Sequence, residues 1–145
     1  MRFLLIALFT ASSVLGQIDT QNRYSSDSRQ YFVWSDSSNS YILKENEFEH
    51  SYIDIREIGS KSTGYIAISL VDNGRARLFH GSIAGFSVNE KKEGTWQMRS
   101  KTMKGKLTYN AEKNEFTFVY DANEKRFQRI FVFSIENEEE ISKVD

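Results

Sequence analysis

The chain has 145 residues, in which 19 lysines and arginines nearly balance 20 acidic residues, and it contains no cysteine and no proline. This length is typical of one domain, and the near-neutral charge gives no reason to expect a nucleic-acid partner or an acidic substrate. The absence of cysteine excludes disulfides, a thiol nucleophile and a thiolate metal site.

The first 16 residues have the pattern of a secretory signal peptide. Arg2 precedes an apolar run that reaches Phe9, and small residues precede the expected cleavage site after Gly16. A membrane anchor, the alternative, needs about 20 apolar residues, and this run is far shorter. Cleavage removes Arg2 and no acidic residue, so the net charge changes from −1 to −2. We therefore expect an extracellular, secreted protein without a membrane span.

The mature chain is predicted to begin with a flexible arm and to continue as a single β domain over residues 31–135. Residues 17–30 are polar almost throughout, with too little apolar surface to offset the entropy lost on ordering. Two short apolar segments, 31–34 and 41–43, flank a Ser/Asp/Asn loop and predict the first hairpin. Residues 44–50 fit either a loop or a short helical turn.

The strongest local signal is Asn73-Gly74, the dipeptide best suited to the two positive φ angles of a type I′ turn. It predicts a β-hairpin over residues 64–81. Counting outward from a two-residue loop gives the register. The predicted pairs are Asp72 with Arg75, Leu70 with Arg77, Ile68 with Phe79, and Ala67 with His80. One face of this hairpin is then apolar, and the other is smaller and mixed.

Further strands are predicted from alternating and aromatic-rich segments. They cover residues 51–58, 82–88, 95–99, 104–109, 115–120 and 127–135. Gly85 is expected to mark a β-bulge or a close approach of backbone. Short loops between the last strands predict a meander. The final segment, 136–145, is expected to be a solvated acidic tail.

The chain is therefore predicted to be all-β, a meander-rich antiparallel barrel or sandwich of about eight to ten strands. Its size, export signal and meander resemble a lipocalin-type barrel in architecture. The Gly-x-Trp of that family's first strand is missing, because Phe32-Val33 precedes Trp34, and Gly94-Thr95-Trp96 has this spacing elsewhere in the chain. Barrels of this strand count can hold one small apolar ligand.

The mixed face of the central hairpin is the first candidate site. Its small side chains would leave room for a small apolar ligand inside a barrel or between two sheets. The predicted ligand-binding residues are Ala67, Ser69, Ala76, Leu78 and His80. For His80, the alternative is an ordinary strand histidine at the margin of the core.

A run of positive charge is the second candidate site. Arg99, Lys101, Lys104 and Lys106 lie within eight residues that include no acidic residue. Such a run fits an anionic glycan or a protein partner. The alternative is a solvated strand edge, where lysine and arginine discourage edge-to-edge pairing.

Neither a catalytic site nor a metal site is predicted. No serine lies in a Gly-x-Ser-x-Gly elbow, and the carboxylates have no distinguishing context. Glu47, Glu49 and His50 form only a loose cluster, for which solvated side chains are the expected state. The sequence therefore predicts a secreted, non-enzymatic binding module without a cofactor. Its partner is a small apolar ligand or, alternatively, a protein or glycan at the basic strand.

Overall fold

The computed structural model describes residues 19–143, with the backbone alone over 140–143, so the predicted signal peptide (1–16) lies outside the described residues. Within this range there are eleven strands, one short 3₁₀ helix (Lys125–Phe127) and no α-helix. The strands are β1 (Asp19–Ser26), β2 (Ser28–Ser35), β3 (Ser40–Glu47), β4 (Ser51–Ile58), β5 (Ser60–Asp72), β6 (Arg75–Val88), β7 (Gly94–Arg99), β8 (Lys104–Asn110), β9 (Glu115–Asp121), β10 (Arg129–Ser134) and β11 (Asn137–Lys143). The described residues include no helix with the length and apolarity that a membrane crossing requires.

All eleven strands form one antiparallel sheet in the order β11-β1-β4-β5-β6-β7-β8-β9-β10-β2-β3. The all-β prediction is therefore confirmed. From β4 to β10, each strand pairs with the next one along the chain. β1 and β2 are separated only by Asp27, yet β1 pairs with β4 whereas β2 pairs with β10. Because two nearly consecutive strands stand toward opposite ends of this order, the sheet must curl until they meet at Asp27.

The central hairpin has the predicted turn and register. Asn73 and Gly74 have φ angles of 51° and 76°, as a type I′ turn requires. The four predicted pairs, from Asp72 with Arg75 to Ala67 with His80, are all present between β5 and β6. The face that carries Ile66 and Ile68 is fully buried, so it forms the inner side of the curled sheet.

The inner face of the sheet holds a single apolar core. Aromatic rings from β9 and β10 line up along it, with Phe118 and Phe131 at 6.4 Å and Phe131 and Phe133 at 6.1 Å between ring centroids. Complete burial of one such side chain is worth about 1.5–3 kcal/mol. The buried apolar residues are Ile53, Ile55, Ile66, Ile68, Leu70, Ile83, Trp96, Met98, Met103, Leu107, Phe116, Phe118, Phe131 and Phe133.

Arg29, on β2, joins the two halves of the curled sheet. Its side chain has no exposed surface and forms an ion pair with Glu47 of β3. The guanidinium also donates to Ser51 Oγ at 2.9 Å and to the carbonyl of Val71 at 2.5 Å, on β4 and β5. Burial raises the pKa of the Glu47 carboxyl, although the charge and hydrogen bond of Arg29 act in the opposite direction.

The first polar segment differs from its prediction as a flexible arm. Of residues 17–30, Asp19–Ser26 form β1 and the rest from Ser28 onward begin β2. Backbone pairing with β4 and β11 orders β1, and two salt bridges reinforce it: Arg23 with Asp54 at 2.7 Å, and Asp19 with Arg56 at 2.9 Å. Tyr24 anchors the strand by packing edge-on against Phe116.

The acidic segment 136–145 also differs from its prediction, because Asn137–Lys143 form β11 beside β1. The two additional strands, β1 and β11, bring the count to eleven instead of eight to ten. One difference lowers the strand count: the two strands predicted over 75–81 and 82–88 are one continuous strand, β6.

Three smaller predictions concern residues 44–50, Gly85 and Phe127. The ambiguous residues 44–50 continue β3 as far as Glu47. The β-bulge expected at Gly85 is confirmed by a register shift between Ile83 and Gly85 in the β6–β7 pair. Phe127, predicted to start the last strand, lies in the 3₁₀ helix and is 51% exposed.

Candidate functional site

An open cleft of about 640 Å³ lies at one end of the curled sheet. It exists because neighbouring strands differ in length: β6 has 14 residues and β7 has six. β7 pairs with β6 only from Ser82 onward, so the first half of β6 has no partner strand on that side. The loop over residues 100–103 and the ends of β9 and β10 complete the walls.

The floor of the cleft is apolar. It consists of Phe79 from β6, Met103 from the loop before β8, and Tyr120 from β9. The ring of Phe79 lies 5.4 Å from that of Phe118 and 5.8 Å from that of Phe131, both core residues. The floor is therefore continuous with the core, whose packing fixes the position of these side chains.

The rim of the cleft is basic. Arg77, Lys101, Lys104 and Arg129 line it, against a single acidic residue, Asp121. Arg77 lies 5.3 Å from the centre of the Phe79 ring and forms a salt bridge of 3.2 Å with Asp72, outside the cleft. Among residues 19–139, whose side chains the structure describes, no salt bridge involves the other three cations of the rim.

The five predicted ligand-binding residues lie on the outer face of the sheet, which differs from the enclosed position expected for them. They alternate with buried Ile66, Ile68 and Leu70, so their side chains point away from the core. Ala76, Leu78 and His80 are exposed or partly so, and Ala67 and Ser69 are partly buried. The five residues do share one face of the hairpin, as predicted, but this face with its small side chains is the outer side of the sheet.

Four of these residues nevertheless border hollows. Ser69, Ala76 and Leu78 line one of about 240 Å³ together with Tyr52 and Val71. His80 and Leu78 border another, of about 200 Å³, which shares Phe79, Met103 and Tyr120 with the cleft. Ala67 lines neither. The structure thus brings four of the five predicted residues to surface hollows.

The predicted basic residues separate into two groups. Arg99 and Lys104 lie directly opposite each other in the β7–β8 pair. Lys106 lies on the same outer face of β8, because the alternate residues Gly105 and Leu107 are buried. Lys101 lies in the loop and, with Lys104, reaches the cleft. Like charges placed directly opposite each other in a sheet are unfavourable, but Lys104 also lies opposite the acidic Asp121 in the β8–β9 pair, which offsets part of this repulsion.

The histidines and nearby carboxylates have separate partners. His80 Nδ1 contacts the hydroxyl of Tyr65, and His50 Nδ1 lies 2.6 Å from Asp27. Glu47 binds Arg29, and Glu49 accepts a hydrogen bond from the backbone N–H of Asn73 at 3.1 Å. Over residues 19–143, no three His, Cys, Asp or Glu side chains are grouped so as to hold a metal ion.

Several cleft residues were missed by sequence reasoning: Arg77, Phe79, Tyr120, Phe127 and Arg129. They are far apart in the sequence and occur at strand ends, where alternation carries no information about which ends meet. A usable signal was the length of the run over residues 75–88, which exceeds that of the strand that follows it. Comparison of the chain with protein-family models, with curated proteins and with solved structures finds no match.

Proposed function

We propose that this protein is a secreted, non-enzymatic module that binds a small apolar ligand in the cleft. The observation that carries the proposal is the combination of volume and lining. About 640 Å³ lies within the roughly 300–1,000 Å³ range of small-molecule sites, and the floor of Phe79, Met103 and Tyr120 is apolar. A ligand seated there would extend the aromatic core and lose apolar surface to water.

We infer that the curled sheet works as a barrel and not as a sandwich. The strand order is continuous, and the bend at Asp27 joins β1 to β2 across the seam. Arg29 bonds to β3, β4 and β5 from β2, which holds the two sides together. In such an arrangement the open end of the barrel is the natural entrance for a ligand.

An extracellular location fits the signal-peptide pattern of residues 1–16. Detection of the mature chain, beginning at Gln17, in the medium of cells that express the full sequence would support this location. Retention of an uncleaved chain in the cells would contradict it.

The neutral fluorescent probe N-phenylnaphthylamine tests binding. We expect one molecule to bind per protein, and replacing the exposed rim residue Phe127 by alanine to weaken its binding about tenfold, because the ligand loses apolar contact area. Phe48→Ala is the matched control, since Phe48 is 81% exposed and does not line the cleft. No binding, or equal loss in both variants, would overturn the proposal.

A second function has its own observation, the outward basic group Arg99, Lys104 and Lys106. Of these three positive charges, only Lys104 lies opposite an acidic residue, Asp121, so an anionic glycan would complete the neutralisation of the group. Under this proposal the protein binds heparin, and Arg99→Gln with Lys106→Gln elutes at markedly lower salt. Arg129→Gln is the control because it changes charge in the cleft alone. Elution of the unchanged protein at low salt would exclude this function.

A further inference from the structure

We propose that the ligand of the cleft is an anionic amphiphile, a molecule with an apolar body and a negatively charged group such as a carboxylate or a sulfonate. This inference rests on the proposed binding function and specifies its ligand. The observation behind it is the segregation of the lining: the floor is apolar, and the charged side chains are on the rim.

The balance of charge at the rim favours an anion. Four basic side chains face one carboxylate, that of Asp121, which accepts a hydrogen bond from Gln128 Nε2 at 3.0 Å. In contrast, the chain as a whole is nearly neutral, so the cleft is a local concentration of positive charge. A low-dielectric floor beneath such a rim strengthens its attraction for an anion.

Arg129 is the residue to which the anionic group is assigned. It lies on the inner side of β10, because Phe131 and Phe133 at alternate positions are buried. It is only partly exposed and forms no salt bridge with any residue in the described range. A partly buried arginine without a carboxylate partner is costly unless an anion accompanies it, and its planar fork binds carboxylate and sulfonate oxygens well.

The other rim cations differ in their availability. Arg77 is held by Asp72 and by the ring of Phe79, so its guanidinium is fixed beside the floor. Lys101 and Lys104 are exposed and line the cleft: Lys101 lies in the loop over residues 100–103, and Lys104 is the first residue of β8. We therefore assign the direct contact to Arg129 and a longer-range attraction to the two lysines.

Two probes with one aromatic skeleton test the inference. Anilinonaphthalene sulfonate carries a sulfonate, and N-phenylnaphthylamine is the same skeleton without it. We expect the anionic probe to bind about tenfold more tightly at low salt, the gain of roughly one charge-assisted hydrogen bond. Raising the salt concentration to about 500 mM should reduce this preference and leave the neutral probe nearly unaffected.

Three variants assign the preference to the rim. Arg129→Gln should abolish most of this preference, measured as the ratio of anionic-probe to neutral-probe affinity in the same variant, and a circular dichroism spectrum like that of wild type would show that the variant is folded. Arg129→Lys should retain part of the preference, because it keeps the charge and loses the fork. Lys106→Gln is the matched control: it removes one positive charge from the outer face of β8, where it does not line the cleft.

The outcomes separate the two claims. If the neutral probe binds in the cleft and the anionic probe binds no more tightly, the anionic assignment is wrong and the binding function stands. If Lys106→Gln lowers the preference as much as Arg129→Gln does, the preference comes from overall charge and the assignment to the rim is wrong. If neither probe binds, the binding function fails and this inference fails with it.

Discussion

The buried guanidinium of Arg29 gives the most demanding test of the fold. In Arg29→Met, the apolar part of the side chain is kept and four donor contacts are removed. They go to Glu47, to Ser51 Oγ, to the carbonyl of Glu49 at 3.4 Å and to the carbonyl of Val71 at 2.5 Å. The Glu47 carboxylate, which is only 10% exposed, then has no counter-charge.

Breaking a buried ion pair by removing one partner costs about 3–5 kcal/mol. We therefore expect Arg29→Met to lose about this much stability, a large share of the roughly 5–15 kcal/mol of a typical domain. The double variant Arg29→Met/Glu47→Leu should recover about 2 kcal/mol or more of the loss, because no isolated charge stays buried. Urea unfolding followed by tryptophan fluorescence and circular dichroism measures both values.

The matched control is Arg23→Met, which breaks the Arg23–Asp54 salt bridge between β1 and β4. The Arg23 side chain is 41% exposed, so the expected loss is only about 0.2–1 kcal/mol. A smaller loss of stability in Arg29→Met than in Arg23→Met would show that the buried Arg29 contacts do not hold the fold together. A double variant no more stable than Arg29→Met would show that the isolated Glu47 charge is not the cause of the loss.

Two further predictions concern the same fold. Burial raises the pKa of Glu47 above its unfolded value, so the unfolded state releases this proton first as the pH rises. Wild type should therefore lose stability relative to Glu47→Gln as the pH rises above the ordinary glutamate pKa of 4.5. A relative gain in urea unfolding would show that Arg29 dominates the carboxyl. Gly74 has a φ angle of 76° and open space where a Cβ would lie, so Gly74→Ala should cost about 1–2 kcal/mol of stability in urea unfolding from backbone strain alone. Gly59 has the same φ angle and the same open space, so Gly59→Ala should lose a similar amount. A negligible loss in Gly74→Ala would contradict the type I′ turn.

Much of the fold could be predicted where local chemistry determines it. Asn73-Gly74 limits the loop to two residues, and that limit alone determines every pair in β5 and β6. β1 could not be found in this way. Its residues are polar, and it is ordered by partners in β4 and β11 that are 25 or more positions away in the sequence. Because long-range pairing orders β1, the strand shows no hydrophobic alternation from which it could be predicted.

The site was harder to predict than the fold for a different reason. Alternation identifies residues that share a face, and it placed Ser69, Ala76 and Leu78 together correctly. A cleft at a strand end depends on how far each strand extends and on how the sheet curls, which no local pattern specifies. Lys101 and Lys104 were selected for charge and do reach the cleft, but Arg129 joins them only through the tertiary fold.

The pairing of β2 with β10 has a consequence for the order of folding. Tyr31 and Phe131 are partners across 100 positions of sequence, whereas each strand from β5 to β10 pairs with the strand made just before it. Bringing such distant segments together costs more chain entropy than closing a hairpin. During synthesis, β2 therefore has no partner on one side until β10 has been made, and β1 gains its second partner, β11, later still.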